Sequence, residues 1–134
     1  MRRHIVSGEG LPAWPSPVSH AVVVDDTCWL SGQLALDATG RLVPGTPAEE
    51  ARLAFRNLFA ALAAAGFARD DLVFVDIAFA DLSAVGEVNA VFAELFPEDR
   101  RPARTIYQAA ALPFGGKVKV MGVAMREARV SPPG

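Results

Sequence analysis

Cysteine and histidine are scarce in this chain of 134 residues, and each scarcity removes a class of function. A single cysteine, Cys28, rules out an intrachain disulfide and fits a reducing, cytoplasmic setting. It stands in an apolar run before Trp29, where a place in the core explains it better than a nucleophilic role. Two histidines, His4 and His20, form no metal-ligand spacing with it, so no metal is expected. No apolar run reaches the ~18 to 20 residues of a membrane span. The segment Met1-Arg2-Arg3-His4-Ile5 is basic but lacks the apolar stretch of a signal peptide. Basic residues are scattered and the net charge is −2, so the basic stripe of a nucleic-acid-binding protein is missing. Neither a phosphate-cradling glycine loop nor a Ser-His-Asp arrangement can be read; Gly115-Gly116 is a turn between strands.

What is present is a core-forming chain, 51% hydrophobic and 21% charged, whose residues 1–134 make one domain. Pro12, Pro15 and Pro17 make Gly8 to Pro17 an irregular loop between two strands, and residues 128–134 read as a frayed tail. Ala21 to Val24 and Thr27 to Leu30 are strand-like runs joined tightly at Asp25-Asp26. A helix begins with Thr46 as cap, Pro47 in the first turn and Glu49 closing a capping box, and Gly66 stops it. Its apolar face is Ala51, Phe55, Leu58, Leu62 and Ala65. The strand Leu72 to Phe79 follows, then a helix with Ser83 as cap and Pro97 as stop, its apolar face Val85, Val88, Phe92 and Leu95. Strands near Arg104 to Ala110 and Lys117 to Arg126 complete the α+β order.

Two helices can cover only one face of a sheet. By strict alternation, Val73 and Val75 point one way while Leu72, Phe74 and Ala78 point the other. A strand apolar on both faces needs cover on both. A second copy of the chain or another protein must therefore supply the missing layer.

Three pieces of sequence then become specific together. Ser31-Gly32-Gln33 follows a strand and is preceded by Ser19-His20-Ala21-Val22. Asn89 sits within Val88-Asn89-Ala90-Val91-Phe92, and Arg101-Pro102-Ala103-Arg104-Thr105 is followed by Ala111-Leu112-Pro113 and the Gly-Gly turn. In this order, over about residues 12 to 126, they resemble the RidA/YjgF family. The resemblance implies a chorismate-mutase-like α+β fold, a sheet of about six strands backed by two helices, assembled as a homotrimer around a barrel-like centre. It also implies ligand clefts between subunits, no metal and no organic cofactor. In the best-known branch the activity is hydrolysis of 2-imino and enamine acids to 2-keto acids and ammonia.

That resemblance assigns roles. Arg104 matches the carboxylate-binding arginine, a planar and permanently charged fork that lysine cannot replace. Ser31 and Gly32 would line the same cleft, although a strand end before a turn explains Ser31 equally well. Asn89 lies four residues after Val85, on the apolar stripe, so it is either a structural tie or part of the cleft wall. Backbone groups near Ile106 and Gly32 would orient water. Two positions depart from the family pattern. Val18 stands where many relatives place a tyrosine, and Lys119, counted forward from Arg104, stands where the deaminase branch has a glutamate. An ammonium has no lone pair with which to take a proton. Beside Arg104 it would add about 4 kcal/mol of repulsion at ~4 Å and an effective dielectric of about 20. A bound anion relieves that; a side chain turned to solvent avoids it. Three functions follow: an imine/enamine deaminase, a non-catalytic trimer binding a small carboxylate or other anionic metabolite, and a ribonuclease or translation inhibitor. The acidic balance argues against the last.

Overall fold

The computed structural model describes residues 1–14 and 16–127. Its elements are β1 (Arg2–Ile5), β2 (Ala21–Val24), β3 (Thr27–Gln33), α1 (Pro47–Ala64), β4 (Leu72–Phe79), α2 (Val85–Leu95), β5 (Ala103–Gln108) and β6 (Val118–Met125). The strands form one sheet in the order β1-β2-β3-β6-β4-β5. All pairs are antiparallel except β4 with β5, which α2 connects as the crossover a parallel pair requires. This is the α+β architecture that the sequence implies. The frayed tail expected over residues 128–134 lies outside the described residues. Among the described residues no helix is long and apolar enough to cross a membrane.

Local chemistry explains the helix ends. Thr46 accepts the Glu49 N–H at 3.2 Å, the Glu49 carboxylate accepts the Thr46 N–H at 3.0 Å, and Pro47 occupies the first turn of α1. Gly66 ends the helix with φ +84°, a conformation open to glycine without strain. No basic residue lies in the last turn of α1. Instead Arg3 from β1 donates to the Ala65 carbonyl at 2.8 Å, and Arg126, just beyond β6, donates to that of Gly66 at 3.0 Å. At α2 the expected cap is corrected. Ser83 does not cap it: α2 starts after Ala84 with no side-chain cap, and Asp81 instead caps the short 3-10 turn before it, its carboxylate accepting the Ser83 N–H at 2.9 Å. Pro97 ends α2 by forcing Phe96 into extended backbone.

Both helices lie on one face of the sheet. Phe55, Leu58 and Leu62 of α1 and Val88, Val91 and Phe92 of α2 pack into one core with Cys28, Leu30, Val75, Ile77, Phe79, Val118 and Val120. The core burial of Cys28 raises its thiol pKa to about 11, so it stays protonated and inert at neutral pH. The strict alternation expected along β4 needs correction. Leu72 pairs with Ala124 and Phe74 with Val123, so Val73 is an extra residue in a bulge. Leu72 thereby joins Val75 on the helix side while Val73 turns out to solvent. The opposite face still carries apolar residues. Trp29, Val123 and Phe74 form a row across β3, β6 and β4, and Trp29 is 56% exposed. Nothing among the described residues covers that row, as expected of a sheet with helices on one side.

Candidate functional site

On the open face a pocket of about 300 Å³ forms where β3 and β6 meet two loops. Val18, Ser31, Gly32 and Lys119 all contribute to it. A second bulge builds it. Leu30 pairs with Gly122 and Gln33 with Val120, so Ser31 and Gly32 together oppose Met121. Lys119 alternates with the core residues Val118 and Val120, so its side chain emerges on the open face beside Ala78. It then crosses Gly32 so closely that a methyl there would lie 2.2 Å from its Cε and 3.3 Å from its Nζ. Glycine at this position is what lets the amine reach the pocket.

The pocket walls come from residues that the sequence did not single out: Trp14, Leu34, Pro113 and Phe114. One of them is held by buried structure. The Trp14 ring lies 3.9 Å from that of His20, which is 2% exposed. His20 Nε2 donates to the Pro12 carbonyl at 3.0 Å, leaving Nδ1 to accept from the Gln33 amide at 3.0 Å. Burial lowers the His20 pKa, with the Pro12 hydrogen bond opposing, so the ring is neutral and fixed in one tautomer. Phe114 has φ 61°, a left-handed conformation that costs a phenylalanine about 1 to 3 kcal/mol. It is nonetheless 58% exposed at the pocket rim. Ser31 Oγ donates to the Ser19 carbonyl at 2.5 Å, so its lone pairs, not its proton, face the pocket.

Lys119 makes no hydrogen bond or ion pair among the described residues, whereas the chain's other lysine is fully engaged. Lys117 meets Glu50, a buried carboxylate of α1, through its backbone N–H at 2.8 Å and its Nζ at 3.0 Å. Glu50 thus anchors the start of β6 and sets the position of Lys119 two residues on. Nothing in the sequence marks it, since an acid early in a helix ordinarily faces water.

Arg104 lies elsewhere. It pairs in register with Val75, on the helix side of the sheet, and its guanidinium carbon sits 4.8 Å from the Phe92 ring centroid. It lines a shallow concavity with Asn89 and Arg101. Asn89 is solvent-exposed and makes no hydrogen bond among the described residues, so its expected place on the buried stripe is corrected: it flanks Phe92 at the rim. Ile106 lies two residues on in β5, an edge strand, and is 38% exposed. The structure therefore gathers Val18, Ser31, Gly32 and Lys119 in one place and Arg104 and Asn89 in another, on opposite faces of the sheet.

The chain is thus an α+β sheet with two helices on one face, and it carries Lys119 in one open concavity and Arg101 and Arg104 in another. Comparisons with known proteins make this specific. The family model described as Endoribonuclease L-PSP matches residues 12–126. A Bos taurus protein named 2-iminobutanoate/2-iminopropanoate deaminase is 42% identical over 125 residues, covering 92% of this chain and 90% of its own. The crystal structure of RidA from the Antarctic bacterium Psychrobacter sp. superposes with a TM-score of 0.85 at 34% identity, covering 92% of this chain and all of that one. The YjgF gene product of E. coli gives 0.85 at 30% identity, covering 93% and 99%. The chain belongs to the RidA/YjgF family.

Proposed function

We propose that this protein hydrolyses small 2-imino acids and their enamine tautomers to 2-keto acids and ammonia, in clefts between the copies of a cytoplasmic homotrimer. The carrying observation is the division of the site residues between two faces of one chain. Arg104 and the Ser31-Gly32-Lys119 pocket cannot meet within a protomer, but an edge strand of one copy set against the open face of another joins them. The uncovered row Trp29, Val123 and Phe74 supports that assembly, because apolar sheet surface of this kind is stable only when covered. The deaminase named in cattle supports the reaction.

In the joined site Arg104 grips the substrate carboxylate through its fork, its own orientation fixed by stacking on Phe92. Backbone groups at Gly32 and Ile106 orient a water towards the C=N carbon. The water oxygen bonds to that carbon, the imine nitrogen takes up the protons, and ammonia leaves as the carbonyl forms. Among the described residues the pocket offers no carboxylate to shuttle the proton. Acceleration then rests on holding water and imine in line, for which the basic imine nitrogen itself is the proton acceptor. Trp14, Leu34 and Phe114 limit the number of competing waters. Release of 2-keto acid from 2-iminobutanoate, followed by a coupled assay, should exceed the buffer rate and fall to it in Arg104→Ala. A parent rate equal to buffer overturns the enzymatic reading.

One observation favours a second reading. Among the described residues the only charged group in the pocket is Lys119, which holds an anion well and serves poorly as a general base. A non-catalytic trimer that binds an anionic metabolite would show a thermal shift with 2-keto acids and no turnover.

A further inference from the structure

We propose that Lys119 makes this site selective for acids with a second carboxylate, so that its ligands are 2-imino and 2-oxo dicarboxylates in preference to monocarboxylates. The inference rests on the reading that Arg104 holds the first carboxylate. Three observations carry it. The Lys119 ammonium is drawn into a pocket walled by Trp14, Leu34 and Phe114 and has no anionic partner among the described residues. A half-buried charge without a partner is unfavourable, and a bound anion removes the cost. Its neighbour Lys117 shows how this chain treats a lysine of structural purpose, with a buried carboxylate supplied for it. Finally, Gly32 is shaped for Lys119, since any larger residue would collide with Cε at 2.2 Å.

The charge count follows. A monocarboxylate on Arg104 neutralises the guanidinium and leaves the ammonium unmatched. A dicarboxylate neutralises both, and the second charge-assisted contact is expected to raise affinity about tenfold or more. The remote carboxylate also fixes the carbon chain across the pocket, which places the imine carbon. The class of reaction feeding such a site is a two-electron oxidation of the α-amine of an acidic amino acid to its imine, with a flavin or nicotinamide taking the hydride, or loss of water from a 3-hydroxy acidic amino acid to give the enamine.

The test uses the intact protein and two stable acids that differ in the second carboxylate, 2-oxobutanoate and 2-oxoglutarate, titrated calorimetrically at one ionic strength. The parent should bind 2-oxoglutarate at least tenfold more tightly. Lys119→Met should bring the two affinities within threefold, and Lys119→Arg should restore the gap; Lys119→Gln serves if the methionine variant does not fold. Equal affinities in the parent, or a gap that survives in Lys119→Met, overturns the proposal. Arg104→Ala separates the two readings. If it leaves 2-oxobutanoate binding intact, the role of Arg104 fails. If it weakens both acids while the Lys119 variants leave the gap unchanged, the selectivity alone fails.

Discussion

Replacing Gly32 by alanine tests how the pocket is built, because the added methyl meets a single side chain. It would lie 2.2 Å from Lys119 Cε and 3.3 Å from Cδ and Nζ, with no backbone atom nearer than these. Ordinary carbon contacts are about 3.5 to 4.0 Å, so Cε must retreat by more than about 1 Å. A lysine tip can do so by leaving the pocket for solvent, at about 0.5 to 1.5 kcal/mol if the new torsions are imperfect. Alanine also restricts the unfolded chain, which returns about 0.4 to 1 kcal/mol. The net change in stability should lie within about 1 kcal/mol of zero. Gly122 in β6 is the control. A methyl there would sit 2.8 Å from the Phe74 carbonyl oxygen and 3.1 Å from Leu72, neither free to swing away. Gly122→Ala should cost about 1 to 3 kcal/mol. Urea unfolding of both variants at one protein concentration measures this, and calorimetry on folded Gly32→Ala should show 2-oxoglutarate binding at least about tenfold weaker. Loss of stability in Gly32→Ala equal to that of Gly122→Ala would refute the picture of a displaceable amine. Unchanged ligand binding would refute its role in the pocket.

Other outcomes follow from buried groups. Glu50→Ala leaves the Lys117 and Gly45 N–H groups without their acceptor, while the half-exposed Lys117 ammonium can turn to water, so the loss should be about 1 to 3 kcal/mol by urea unfolding. Glu50→Gln keeps one acceptor oxygen and should lose less; equal losses would deny the backbone hydrogen bonds a part. His20 gives a pH signature. Its folded pKa is lowered by burial, so the unfolded chain binds the extra proton first as pH falls. Its contribution is complete above the unfolded value of about 6.5 and is lost as pH falls from there through the folded value. The unfolding free energy should therefore decline below about pH 6.5 more steeply in the parent than in His20→Gln, and parallel profiles would contradict the neutral ring. Arg3→Ala removes the donor to the Ala65 carbonyl and should cost about 1 kcal/mol by the same measurement.

What could be read from sequence divides along a physical line. The capping box at Thr46 and Glu49, the glycine stop and the buried face of α1 are set by residues within a few positions of each other, so pattern alone reveals them. The direction of Lys119 stayed open between cleft and solvent, and is settled only by the burial of Val118 and Val120 on either side. The bulges at Val73 and at Ser31-Gly32 were not legible, because each is defined by the register of a partner strand far away in sequence. The assignment of Val73 to the same face as Val75 failed for this reason. Asn89 misled because a four-residue step advances a helix about 40° beyond a full turn, enough to move a side chain from the buried stripe to its rim. The capping role of Asp81 was hidden by the 3-10 turn that separates it from α2. Glu50 and Trp14 had no local signature at all. Their importance lies in Lys117 and His20, brought to them by the fold.

The account stands or falls on two faces of different copies meeting in one site, and co-assembly of crippled chains tests that most directly. Arg104→Ala spoils one half of each junction, and Gly32→Leu fills the other. Each alone should be inactive on 2-iminobutanoate. Unfolded and refolded together in equal amounts, they should recover about one quarter of the parent rate, the fraction of junctions that draw an intact half from each neighbour. A mixture no more active than its separate components would contradict a site shared between chains.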